Sequence, residues 1–262
     1  MRNIFNGLLV ALSMYSRIPM PQKLIKWDDD GMKYSICFFP IVGVVIGGVL
    51  LLWRYVSELL GFGEVLFAAA AAAIPIFITG GIHMDGYCDT IDALSSYQPM
   101  EKKLEILKDP NAGAFAVIKA CVYFLLYFAF MTQVSYHGII VLAIGFVFSR
   151  SLSGLAVVNF KSANKSGLAA MFKERSHKQI VTVVLLFIFA VCVTLMFVLV
   201  EVMIAAAAVI AAAVIFLYYK HMAYKQFGGV TGDIAGYFLV KCELWMCGAI
   251  VLIEGVMRLW NW

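Results

Sequence analysis

The stretch GEVLFAAAAAAIPIFITGGIHMDGYCDTIDALSSY, residues 63–97, changes character at Gly80-Gly81. Before the glycines, residues 63–79 form an alanine-rich apolar run with Glu64 as its one ionisable side chain, and the run reads as a membrane crossing. After them come His83 and three aspartates, Asp85, Asp89 and Asp92, at i, i+4 and i+7. On a helix these offsets fall on one stripe, with neighbouring Cβ atoms about 5–6 Å apart. Like charges so placed repel by roughly 0.2–0.5 kcal/mol per pair, so the ladder invites a cation. The simplest is Mg²⁺, a hard ion that takes carboxylate oxygens and shares itself with substrate phosphates. The alternative is an acidic first turn answering the helix dipole, with the other positions solvated. Gly80, Gly81 and Gly86 are poor choices for a helix built only for stability.

Working outward, 63% of the 262 residues are hydrophobic and only 14% charged. Soluble domains average about 45–50% and 25%, so the chain reads as a single integral membrane domain, 1–262. Seven full spans are predicted, at 34–53, 63–79, 115–133, 138–160, 179–200, 202–219 and 234–257. Gly43, Gly47, Gly48 and the alanine tracts suit close helix packing in lipid. Residues 4–16 are apolar but too short to cross, and Arg17-Ile18-Pro19-Met20-Pro21 follows in place of a cleavage site. This predicts a retained interfacial or re-entrant helix. The fold class is therefore all-α, a polytopic transmembrane bundle of about seven spans plus that helix. None of the six cysteines forms a Cys-x-x-Cys pair, and neither a disulfide framework nor a zinc site is expected.

Lysine and arginine concentrate in four loops: Arg17 to Lys33, which also holds Asp28, Asp29 and Asp30; the loop with Lys102, Lys103 and Lys108; Lys161 to Lys178; and the loop with Lys220 and Lys225. By the positive-inside rule these are cytoplasmic, in the cytoplasmic (inner) membrane of a bacterium or archaeon, and the ladder faces the same side. His137, on the opposite side, reads as a solvated loop residue. Lys119, Arg150, Lys241, Glu243 and Glu254 fall inside spans, where a charge needs a partner, a cavity or an interface to reach. Lys241 and Glu243, two apart, do not face each other. Arg150 either pairs with a carboxylate for packing or holds a phosphate by bidentate hydrogen bonds.

Two further polar stretches border the same face. Lys108-Asp109-Pro110-Asn111-Ala112-Gly113-Ala114-Phe115 opens a span, and Asp109 either joins the ladder or initiates the helix. Gly228-Gly229-Val230-Thr231-Gly232-Asp233 leads into the last span, where free backbone N–H groups suit a diphosphate and Asp233 suits a metal. The candidate metal ligands are thus Asp85, Asp89, Asp92, Asp109 and Asp233. Candidate substrate contacts are Lys108, Asn111, Arg150, Gly228, Gly229, Thr231 and Gly232.

Gly80-Gly81-Ile82-His83-Met84-Asp85-Gly86-Tyr87-Cys88-Asp89-Thr90-Ile91-Asp92, then Leu104 to Asp109, then Gly228 to Asp233, resembles the cobalamin synthase family of adenosylcobinamide-GDP ribazoletransferases. Phe38-Phe39-Pro40-Ile41-Val42-Gly43 is similar too, as are Asn164 and Gly167-Leu168-Ala169, and the likeness covers nearly the whole chain. It implies a membrane enzyme of late vitamin B12 assembly. The reaction joins adenosylcobinamide-GDP to α-ribazole or its 5′-phosphate with release of GMP, and Mg²⁺ is the expected cofactor. Asp85 and Asp89 are then expected on one ion and Asp89 and Asp92 on a second, with Asp109 or Asp233 adding to it. His83 is a general base, or it orients Asp85 or caps the helix. The expected partners are these two substrates and the lipid bilayer, with no nucleic acid; self-association stays open. Rival readings are a CDP-alcohol phosphotransferase, which would need Ala-Arg after the Asp-Gly, a prenyltransferase, which would need a second Asp-rich motif, and a cation transporter, which would prefer mid-span carboxylates.

Overall fold

The structure is a computed structural model that describes residues 2–25, 27, 32–163 and 167–260. Asp28 to Asp30 and Asn164, singled out in the sequence, lie outside the described residues, as do Lys26 and Lys165. Among the described residues the elements are helices: α1 (Arg2–Tyr15), α2 (Phe39–Leu59), α3 (Glu64–Thr79), α4 (Ile82–Ser95), α5 (Met100–Ile106), α6 (Ala114–Met131), α7 (Tyr136–Asn159), α8 (Leu168–Arg175), α9 (Lys178–Leu199), α10 (Val202–Phe227) and α11 (Gly232–Leu259). Two short 3-10 turns, Gln22–Leu24 and Ser35–Phe38, lead towards α2. Six helices are long and apolar enough to cross a membrane: α2 with its leading turn, α6, α7, α9, α10 and α11. With α3 they correspond to the predicted spans, except that α2 runs on to Leu59 and α10 to Phe227, so that Lys220 and Lys225, expected in a loop, lie in the last turns of α10; the short apolar α1 packs on the Ser35–Phe38 turn and α2.

α7 and α11 form the centre, and both keep most of their length buried. Small residues set how closely their neighbours approach. A Cβ at Gly43 would lie 2.4 Å from the carbonyl oxygen of Phe146, and one at Gly47 would lie 2.5 Å from that of Ala143. α2 therefore rests directly on the backbone of α7, a contact only glycine permits. Gly48 meets nothing and takes no part in it. The embedded charges have partners of several kinds. Arg150 Nη1 lies 2.8 Å from Glu243 Oε1, Glu254 accepts from the backbone N–H and hydroxyl of Ser135, and Lys241 lies over the rings of Tyr237 and Trp245. His137, expected to stand alone, pairs with Glu201 at 3.0 Å.

The four basic loops meet at one end of the bundle. The N–H of Arg17 donates to the carbonyl of Ile78, and that of His177 to the carbonyl of Lys33. Lys103 Nζ donates to Gln226, and Val230 exchanges backbone hydrogen bonds with Lys161 and Ala163. At the other end Arg54 bonds Glu64, joining α2 to α3. Alternating crossings put the loops where these contacts find them.

α3 departs from a simple span. Its 16 residues cover about 24 Å, short of a hydrocarbon core of about 30 Å. Gly80 and Gly81 then take φ values of 68° and 83°, and α4 leaves at 94° to α3. Two consecutive left-handed residues are accessible to glycine without the steric cost other residues carry. The acidic helix is thereby turned off the crossing direction and laid against α6 and α11.

Candidate active site

α4 and α11 touch through glycine. A Cβ on Gly86 would stand 2.7 Å from both the Cα and the carbonyl oxygen of Asp233, and one on Gly236 would stand 3.1 Å from the carbonyl oxygen of His83. The stacked rings of Tyr87 and Tyr237, with centroids 5.6 Å apart, hold the crossing beside these glycines. The ladder is so brought against a carboxylate about 140 residues further along the chain, on the first turn of α11.

Asp89 stands in the middle of the acidic side chains. Its half-buried carboxyl is pushed up to about 7, first by desolvation and then by Asp85, Asp233, Asp92 and Asp109 in that order. Asp85 is exposed, and with Asp233 it lines an apolar cavity at the first turn of α4. Asp89 lines a second recess, about 640 Å³ counting its open mouth, with Asp92, Asp109 and Asn111 further along the same stripe. Asp109 accepts from both the backbone and side-chain nitrogens of Asn111, which hold its carboxyl below the usual range. Among the described residues no group of three or more His, Cys, Asp or Glu side chains is placed to hold a metal ion. A Mg²⁺ bound through one or two carboxylates, with water and substrate phosphate completing its shell, needs no such group.

Asp92 departs from the expected role. One of its oxygens accepts from the N–H of Gly113 and the other from the N–H of Ala116, at 2.9 Å for the latter. It caps the start of α6, and a Cβ on Gly113 would collide with it. The ladder thus splits, with Asp85 and Asp89 towards Asp233 and Asp92 committed to the backbone.

His83 lines the apolar cavity, its ring edge-on to Phe39 with centroids 5.7 Å apart. Its Nε2 is enclosed and has no hydrogen-bond partner. Burial, with the positive charge of Arg150 nearby, lowers the imidazole to about 3, so the ring is neutral at ordinary pH. That leaves it a poor general base. The cavity has a volume of about 770 Å³, counting its open mouth, and its walls come from α1, α2, α4, α7, α8 and α11. Tyr15, Ser153, Val157 and Phe172 among them carry no sequence motif.

Four candidate substrate contacts are otherwise engaged. The Arg150 guanidinium is 1% exposed and committed to Glu243 and the Phe146 carbonyl, which answers the sequence alternative in favour of packing. The N–H groups of Gly228, Gly229 and Val230 donate to Tyr224, Ala223 and Lys161, so they are not free to cradle a diphosphate. Gly228, at φ 73°, ends α10, and Gly229 lies against the backbone of residues 161–163. The Thr231 hydroxyl caps α11 by accepting from Ile234 N–H. Gly232 does line the cavity, and Lys108 and Asn111 are exposed beside the polar recess.

Residues 7–251 match the family described as cobalamin-5-phosphate synthase. A protein of Lachnoclostridium phytofermentans named adenosylcobinamide-GDP ribazoletransferase is 50% identical over 252 residues, 96% of this chain and 95% of its own length. Proteins of the same name from Clostridium botulinum Alaska E43 and Treponema denticola are 33% and 32% identical. They cover 93% and 91% of this chain, and 96% and 94% of their own lengths. No solved structure matches the chain.

Proposed function

The chain belongs to the cobalamin-5-phosphate synthase family, transferases of late cobalamin biosynthesis, and from that premise we propose where and how it performs the transfer. The substrates are adenosylcobinamide-GDP and α-ribazole or its 5′-phosphate, and the site is the crossing of α4 and α11. The observation that carries this is Asp89, half-buried among Asp85, Asp233, Asp92 and Asp109 and held near 7 first by its burial and then by their charge. Membership sets aside the rival transferase and transporter readings.

Asp85, Asp89 and Asp233 would hold Mg²⁺, with Asp109 at the far edge of the polar recess. Bound there, the ion offsets negative charge on the phosphoryl oxygens and on the leaving GMP. The chain's own residues do the rest. A hydroxyl of the ribazole sugar forms the new O–P bond to the cobinamide-linked phosphorus, and the bond to GMP breaks with its electron pair on the departing phosphate. Asp85 and Asp233, which line the cavity, are within reach to take the hydroxyl proton. Asp92 fixes the distance between α4 and α6, so the polar recess keeps its width around the diphosphate. Arg150 and Glu243 neutralise each other inside the bundle, between α7 and α11. By the positive loops the site opens to the cytoplasm, where guanine nucleotides are made.

The test is transfer by purified protein in nanodiscs, with GMP release and corrinoid product both quantified. The wild type releases GMP only with ribazole and a divalent cation present, and EDTA stops it. Asp89→Asn loses activity by about 100-fold or more while staying folded. Near-wild-type release from Asp89→Asn refutes the mechanism.

A further inference from the structure

The apolar cavity is more specific than a general mouth for the reaction. Tyr15, Phe39, Phe172, Val157 and Leu239 supply a wall of rings and aliphatic groups, while polar groups are few: Ser153 and His83 among them, with Asp85 and Asp233. Resting on the transferase reading above, we propose that this cavity takes the benzimidazole base of the nucleoside acceptor, with the His83 imidazole hydrogen-bonded to the free nitrogen of that ring.

Three parts of the two substrates compete for the space. The corrinoid, a macrocycle fringed with amides, is much larger than a nucleoside and belongs outside an enclosed pocket. Guanine would fit by size, but its edge carries several donors and acceptors that an aliphatic and aromatic wall leaves unpaired. The dimethylbenzimidazole base has two methyl groups, a fused hydrocarbon ring and one ring nitrogen able to accept. It needs one polar partner, and the cavity presents a histidine whose enclosed Nε2 has none. The edge contact between His83 and Phe39 fixes the imidazole plane in the wall, so the base enters alongside it. With the base inside, the ribose lies at Asp85 and Asp233, which brings its hydroxyls to the carboxylates. The guanosine diphosphate is left to the polar recess further along α4, lined by Asp89, Asp109 and Asn111. The acidic stripe then runs past both substrates, with the acceptor at its start and the leaving group towards its end.

Two steady-state measurements on the full-length protein in nanodiscs test this. Val157→Phe narrows the cavity from its α7 wall, and it should raise KM for α-ribazole about tenfold while KM for adenosylcobinamide-GDP stays within about twofold. The second compares α-ribazole with its indole analogue, in which carbon replaces the accepting nitrogen. The wild type should favour ribazole about tenfold or more in kcat/KM, and His83→Leu should lose that preference even if its overall rate falls. A rise in KM for the GDP substrate in Val157→Phe, no change in either KM, or an undiminished preference in His83→Leu would each overturn the assignment. Wild-type protein that forms no GMP at all from these substrates refutes instead the transferase reading on which the assignment rests.

Discussion

Asp85, Asp89 and Asp92 are indistinguishable by spacing, and the structure gives each a different life. Asp92 is consumed by two backbone N–H groups, Asp85 is exposed at the cavity, and Asp89 is held near 7 by its burial and then by the charge of its neighbours. The stripe itself was legible, because helical periodicity is a local property. The division of labour was not, since it depends on where α6 begins relative to Asp92, 21 residues away. Arg150 makes the same point, its choice between phosphate and carboxylate being decided by the α7–α11 contact to Glu243. A pH dependence follows from Asp89. Its proton stays on to about pH 7 in the metal-free fold, whereas an unfolded aspartate loses it near 3.8, so the fold gives up stability as pH rises between those values. Cation binding runs the other way, since it needs the ionised form. Half-saturating Mg²⁺ in the transfer assay is therefore expected to rise by about tenfold between pH 8 and pH 6. A flat profile would mean that Asp89 is not a ligand.

At the scale of the helix, glycine decides the site. Gly80-Gly81 was legible as a break, and the flanking spans fell within a few residues of their observed ends. The 94° turn was not, because a glycine pair permits a bend without specifying it. Gly86 was flagged as an unlikely choice for a stable helix, and its reason lies in another element: no side chain fits between α4 and the backbone of Asp233. Gly86→Ala is accordingly expected to cost about 1–3 kcal/mol of stability, as the crossing is forced apart. Activity should fall further than the remaining folded fraction explains, because Asp85 and Asp89 move off Asp233. Gly48→Ala, on an open helix surface, should change neither. Thermal unfolding and turnover on the two variants check the pair. Equal behaviour would show that the close approach of α4 and α11 is not needed.

Across the whole molecule, the bundle works as a frame that collects four loops at one end. Composition announced the membrane, and the bias of lysine and arginine announced which loops share a side; their mutual contacts agree with that grouping. The cavity was beyond reach of sequence, because its walls come from six helices and its aromatic lining, Tyr15, Phe39 and Phe172, looks like ordinary core in each helix that supplies it. The central claim is that α4, the loop before α6 and the start of α11 assemble one cation site from segments that no motif joins. Equilibrium binding of Mn²⁺, followed by electron paramagnetic resonance on metal-free protein with adenosylcobinamide-GDP present, measures this without turnover. The account predicts saturable binding in the wild type, weakened about tenfold or more in both Asp89→Asn and Asp233→Asn. Binding that is absent from the wild type, or unchanged in the two variants, would contradict it.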